Sequence, residues 1–218
     1  ERCLAIIELL ADGAREMPLG EIAERLSLPK SGAHRLLTTL VEQGWAEQNA
    51  STGFYRLSMR FAILGQQFYV ATGLPDICQP VLDQLARECR EFVRLAVVDG
   101  HSLVWVAHAQ GASSGLMYQP SLTSNTVPLF ATASGKAWLS TLSSDEAMHI
   151  VRKNGGLQNL DRYGPNVVRT AEALLRELKT AARRGYGVAL SEAEFGVTAI
   201  AAAIRTGDDG PVLGTVSI

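Results

Sequence analysis

Leu26-Ser27-Leu28-Pro29-Lys30-Ser31-Gly32-Ala33-His34-Arg35-Leu36-Leu37 is the stretch on which the reading of this chain turns. Ser27-Leu28-Pro29 reads as a tight turn, and Pro29 suits the first position of a new helix because its missing N–H would be unbonded there anyway. The helix it opens runs by pattern from Pro29 to Gln43 and stops at Gly44. Before the turn, Leu19 to Leu26 sets Ile22, Ala23 and Leu26 on one side and Glu21, Glu24 and Arg25 on the other, a short helix. Two helices joined so closely cross steeply and need small residues where they touch. Ala23 and Ala33 meet that need, Leu28 plugs the turn, and Leu36, Leu37 and Leu40 form the buried stripe. Lys30, Ser31, His34, Arg35 and Thr38 are left outside, where they can reach bases and phosphates. His34 either reads a base or packs along the helix.

Working outward, Leu4, Ile7, Leu10 and Ala11 have helical spacing up to the breaker pair Asp12-Gly13. Beyond Gly44, Trp45 to Gln48 and Phe54 to Leu57 are strand-like runs around the turn-rich tip Asn49 to Gly53. Three helices and a hairpin in this order predict a winged helix-turn-helix over residues 1–57. Helix three would enter the major groove, and the wing, through Ser51, Thr52, Tyr55 and Arg56, would lie along the backbone or minor groove. Bulk charge does not support this. Residues 1–57 carry Arg2, Arg15, Arg25, Lys30, Arg35 and Arg56 against Glu1, Glu8, Asp12, Glu16, Glu21, Glu24, Glu42 and Glu47. Placement does, because Arg25 to Val41 and Gln48 to Pro75 contain no acid, and phosphate contact depends on one face.

The rest of the chain reads as a second, sensing unit. Ser58 to Ala71 has Phe61, Leu64, Gly65 and Phe68 on one helical face and ends at Thr72-Gly73, so 58–72 is expected to be a linker helix. Ile77 to Cys89 is an amphipathic helix, and Val93 to Val98 and Leu103 to Ala107 flank the hairpin signal Asp99-Gly100. A strand over Leu116 to Gln119 and a helix over Ser134 to Leu142 follow, then a capping box at Ser143 and Glu146. A long helix over Thr170 to Arg184 closes at Gly185. The final strands are Tyr186 to Leu190, Ala199 to Arg205 and Val212 to Ile218, the last two joined through Gly207-Asp208-Asp209-Gly210. The fold class is therefore α+β, with a mainly antiparallel sheet flanked by helices over 73–218.

The quoted run, with Gly44-Trp45, the wing motif Thr52-Gly53-Phe54-Tyr55-Arg56-Leu57, Pro128-Leu129-Phe130-Ala131-Thr132-Ala133-Ser134-Gly135-Lys136-Ala137, and Arg184 to Val188 with Gly196-Val197, resembles the IclR family, the isocitrate lyase regulator type. The resemblance covers nearly the whole chain. Members usually begin before Glu1 and add a helix after Ile218, so the chain looks trimmed. It implies a bacterial transcriptional regulator with a GAF-like effector domain, repressing or activating a catabolic operon, and commonly a homodimer or dimer of dimers. Paired half-sites in a duplex operator also make a dimer the least that fits. In the family a small carboxylic or aromatic acid sits at the positions here numbered Leu116, Val127, Ala133, Ser134, Ala189, Val197, Ala199 and Ser217. Ala189 replaces the usual Asp and Ala199 the usual Cys, a less polar wall that favours a larger or aromatic acid. The amino end of the helix at Thr132 to Gly135 is expected to receive the anion.

Composition agrees with a folded soluble chain: of 218 residues 47% are hydrophobic and 19% charged, at a net charge of −2. No apolar run approaches the roughly 18 residues of a membrane span, and no signal-peptide layout opens the chain, so a cytoplasmic protein without membrane contact is expected. Cys3, Cys78 and Cys89 fit reduced thiols rather than disulfides or metal ligands. Catalysis finds no support. Gly135-Lys136 lacks the remaining phosphate-loop residues, and His101, His108 and His149 have no ligand or triad spacing. No cofactor is expected. The alternative to a DNA-binding regulator is a sensor or scaffold whose winged helix contacts protein.

Overall fold

The computed structural model describes all residues except 13–14, 114–116, 119–125 and 208–209. The chain forms two compact units, Glu1–Leu74 and Pro75–Ile218. Among the described residues there are eight α-helices and seven strands.

In the first unit, α1 (Arg2–Ala11), α2 (Leu19–Arg25) and α3 (Lys30–Glu42) precede the hairpin β1 (Ala46–Gln48) and β2 (Tyr55–Leu57). Gly13 of the expected breaker pair lies outside the described residues. Ile6, Leu10, Ile22, Leu37, Leu40, Ala46 and Tyr55 form the core. Ala23 on α2 and Ala33 on α3 are both buried, as a crossing over small side chains requires. The turn itself is closed by the Leu28 N–H donating to the Ala23 carbonyl at 2.8 Å, with Ser27 in the left-handed region at φ 50°. Pro29 is not the first helical residue as expected. Its ψ of 135° makes it the N-cap, because the turn has to run extended before the helix begins. At the other end, the Arg60 guanidinium donates to the Gln43 carbonyl at 2.6 Å and stacks 4.5 Å over the Trp45 ring, a cation placed where the helix leaves carbonyls unpaired.

The helix α4 (Arg60–Ala71) buries none of its residues. Ile63, Leu64, Phe68 and Val70 are all more than half exposed.

The second unit is built on a five-stranded antiparallel sheet of order β4-β3-β7-β6-β5: β3 (Phe92–Asp99), β4 (Ser102–Gln110), β5 (Gly187–Leu190), β6 (Thr198–Arg205) and β7 (Val212–Ser217). Strand alternation sends Val93 and Leu95 to one face, against Leu82 and Ala86 of α5 (Leu74–Cys89). It sends Ala96 and Leu103 to the other, against the cluster of α6 (Ala133–Leu139), α7 (Ser144–Lys153) and α8 (Ala171–Arg184), with Trp138, Leu139, Val151, Leu174 and Leu178. The caps follow the sequence: Ser143 and Glu146 make the reciprocal capping box of α7, Thr170 caps α8, and Gly185 closes it at φ 83°. The strand expected over Leu116 to Gln119 is absent at its described residues. Met117 and Tyr118 make no ladder, and Leu116 and Gln119 lie outside the described residues, as do Asp208 and Asp209 of the last turn.

Candidate functional sites on the recognition helix and the sheet

Periodicity decides which residues of α3 look outward. With Ala33, Leu37 and Leu40 buried, Lys30, Ser31, His34 and Arg35 are exposed and Thr38 is partly so. Among the described residues, no acid forms an ion pair with Lys30 or Arg35. The wing tip is rigidified by Asn49, whose side-chain oxygen accepts the N–H groups of Ser51 and Thr52 at 2.9 and 3.2 Å, leaving both residues exposed.

Two expectations for the wing need correction. Tyr55 is 3% exposed and belongs to the core, its backbone paired with Met17; period-two alternation in β2 turns Arg56 outward and therefore Tyr55 inward. Arg56 is exposed but not in acid-free surroundings. The ladder sets Glu47 directly opposite, with their side chains 2.8 Å apart, and Glu16 lies 3.5 Å away. The Glu47 hydrogen bond holds the Arg56 guanidinium above its ordinary value. Acids absent from a stretch of sequence thus return across the hairpin.

On the second unit, the expected effector residues fall into two groups. Ala133 and Ala189 form one small buried cluster with Ala137 and Ala201, two residues outside the expected set, and Ala199 packs against it. The register explains this grouping: Ala189 pairs with Ala199 and Gly187 with Ala201, and Ala201 in turn pairs with Ser217. Gly187 lets α6 lie against the sheet backbone to backbone, since a Cβ there would meet the Ala133 carbonyl oxygen at 2.2 Å. Ser134 is 1% exposed, and its hydroxyl has no partner among the described residues; the same holds for Thr215, one step along β7 on the face of Ser217. Val197 is partly buried in the loop returning to β6, where its carbonyl accepts the Ser191 N–H at 2.8 Å. Val127 is not in the alanine cluster. It packs with Ala96, Leu103 and Val151 and borders a separate cavity of about 280 Å³ lined also by Phe130 and Tyr163. Leu116 lies outside the described residues.

The anion seat expected at Thr132 to Gly135 is partly filled by the chain itself, because the Gly135 N–H donates to the Thr132 hydroxyl at 3.0 Å. Lys136, read in the sequence only as part of a failed phosphate loop, is 1% exposed and ion-paired with Glu192, itself buried, and with Glu177. Burial raises the Glu192 carboxyl above its ordinary value, and Lys136 offsets part of that. The pair ties the loop after β5 to α6. No spacing in the sequence marks Glu192. Among the described residues no cluster of three or more His, Cys, Asp or Glu side chains is arranged to hold a metal, and no helix is long and apolar enough to cross a membrane.

Family models described as the IclR helix-turn-helix domain and the bacterial transcriptional regulator IclR C-terminal match residues 1–50 and 66–218. Transcriptional repressor IclR of Escherichia coli (strain K12) is 28% identical over 203 residues, 93% of this chain and 73% of that protein. HTH-type transcriptional regulator XynR of the same strain is 30% identical over 204 residues, 92% of this chain and 77% of that protein. An IclR homolog from Microbacterium hydrocarbonoxydans, solved in complex with 4-hydroxybenzoate, superposes with a TM-score of 0.75 at 27% identity, covering 100% of this chain and 86% of that one.

Proposed function

The chain belongs to the IclR family of bacterial transcriptional regulators, and from that premise we propose that it binds a duplex operator through α3 and the wing and is controlled by an organic acid bound against the α6–β5–β6 wall. It is a regulator and not an enzyme, with a DNA-binding helix-turn-helix and a C-terminal effector domain. The observation that carries the DNA reading is the face of α3. Lys30, Ser31, His34 and Arg35 project from a helix whose opposite side is locked into the core, as a reading helix in the major groove requires. Thr38 extends that face, Ser51 and Thr52 touch backbone phosphates, and Arg56 contributes less because Glu47 and Glu16 already hold it.

The effector is an aromatic or other carboxylic acid. Alanines at 189, 199 and 201 leave the wall apolar and shallow, and the relative with 4-hydroxybenzoate bound is an aromatic-acid precedent. The regulated genes then form a catabolic operon for such an acid. Two copies pair through α4, whose exposed Leu64 and Phe68 lie one turn apart, and pairs associate further into a dimer of dimers. Ligand alters operator affinity by binding one arrangement of the paired heads more tightly than another, with 58–72 as the lever. The protein works in the cytoplasm.

Mobility shift on the promoter beside its own gene tests this. A shift lost on Arg35→Ala and at high salt is expected; full-length protein that shifts no neighbouring promoter refutes it in favour of a protein-binding winged helix. For the ligand, thermal stabilisation by benzoate-type acids is expected, and stabilisation by glyoxylate or pyruvate alone refutes the aromatic reading.

A further inference from the structure

Arg94 stands in the middle of β3, in a run that is otherwise apolar from Phe92 to Val98. The ladders place it in one transverse row: His108 of β4, Arg94 of β3, Ser217 of β7, Ala201 of β6 and Gly187 of β5 are successive cross-strand partners. Cross-strand partners share a face, so Arg94 rises from the same side of the sheet as the alanine wall, next to Ser217 and about 10 Å from Ala201. Trp105 confirms the side, since the guanidinium carbon lies 3.8 Å over its ring. The guanidinium is partly buried, and among the described residues no carboxylate reaches ion-pairing distance of it. Tyr118 and Glu194 act on it electrostatically without pairing with it. Burial lowers the proton affinity of Arg94 by more than Tyr118 and Glu194 restore. A cation taken out of water without a paired anion is costly, and such groups recur where a ligand supplies the missing charge. The two orphaned hydroxyls lie on this side as well: Thr215 is one row along from Ser217, and Ser134 is on the helix that covers the alanines.

We propose that Arg94 is the carboxylate receptor of the effector site: the acid's carboxylate docks on the Arg94 guanidinium beside Ser217, and its apolar body reaches toward Ala199, the alanine of the wall that α6 leaves partly open. This rests on the effector reading above and adds to it the charged contact that an alanine wall lacks. The guanidinium fork matches a carboxylate in two parallel hydrogen bonds, and stacking on Trp105 holds it in place before the ligand arrives. The charge lies away from the amino end of α6, where the Thr132 cap already takes the Gly135 N–H. Ligands of the same shape but without charge, such as carboxamides, are rejected because they leave the buried cation unpaired.

The full chain is titrated with benzoate, 4-hydroxybenzoate, phenylacetate, pyruvate and glyoxylate, and with the carboxamide of any acid that binds, as wild type, Arg94→Met, Arg94→Gln and Arg94→Lys. The unliganded melting temperature of each variant reports its fold. Loss of a charge-assisted contact lowers the affinity of the binding acid by roughly 10- to 100-fold in Arg94→Met and Arg94→Gln, with Arg94→Lys in between, and leaves the carboxamide within about threefold. An acid bound equally well by Arg94→Met overturns the proposal and leaves the effector reading standing. So does a carboxamide bound as tightly as its acid by wild type, or equal loss of both ligands in the variants, which marks a merely structural arginine. Wild type that binds none of the acids overturns both.

Discussion

Replacing Lys136 by Met removes a buried cation while keeping the length of its stem. Lys136 is 1% exposed and the Glu192 side chain 7%, whereas the Glu177 side chain is 42% exposed, so the Glu192 contact dominates and the Glu177 share is screened by water. Breaking one side of a buried pair costs about 3–5 kcal/mol because the remaining charge stays buried. For a unit of this size that is roughly a 6–20 °C fall in melting temperature. Glu192 also accepts the Leu190 N–H at 3.3 Å, so Glu192→Gln, which keeps an acceptor, is the matching neutral partner. The double variant Lys136→Met/Glu192→Gln is expected to regain more than half of the loss. The sign with pH is fixed as well. Burial already raises the Glu192 carboxyl above its ordinary value near 4.5, and without Lys136 it rises further. A raised carboxyl favours the folded state at low pH and loses that contribution as pH climbs through its folded value, so the deficit of Lys136→Met is widest near pH 8 and narrows toward pH 5. Urea unfolding followed through Trp105 and Trp138 fluorescence measures this. A deficit below about 1 kcal/mol, one that ignores pH, or a double variant as weak as the single would refute the reasoning.

Two further outcomes follow from the first unit and the helix caps. Tyr55→Ala is expected to cost about 3–5 kcal/mol in chemical denaturation, as for any buried aromatic, while Tyr55→Phe leaves operator affinity unchanged; Glu47→Gln, by freeing Arg56, should tighten operator binding and steepen its logarithmic salt dependence by up to about one unit in anisotropy titrations. The Ser143 hydroxyl holds Glu146 below the ordinary carboxylate value, and backbone hydrogen bonding with help from Thr170 does the same for Glu172. Depressed carboxylates stabilise above their unfolded value and lose that as pH falls, so the first turns of α7 and α8 should fray below about pH 4.5, seen as falling circular dichroism at 222 nm and abolished in Glu146→Gln/Glu172→Gln.

Local signals proved legible where one element decides its own fate. The α2–α3 turn, the capping box at Ser143 and the Gly185 stop each rest on a few adjacent residues, and each is seen. What escaped depends on neighbours across a ladder. The wing motif does not specify which way Tyr55 faces, and Glu47 comes near Arg56 only once the hairpin closes. An arginine inside the apolar run Phe92 to Val98 was a visible signal for Arg94, but which residues share its row is a matter of register across four strand pairings. Lys136 and Glu192, far apart in sequence, meet only after α6 lies on β5.

That contact between α6 and β5 also limits how the binding wall can diversify. Gly187 faces the Ala133 carbonyl, and a Cβ at Gly135 would meet the Leu129 carbonyl oxygen at 2.2 Å, so neither position admits a side chain without moving backbone. The depth of the wall is thereby set by main-chain atoms that substitution cannot trim. Descendants of this protein that adapt to a bulkier or slimmer ligand must do so by exchanging the alanines at 189, 199 and 201, a three-letter alphabet written on a fixed page.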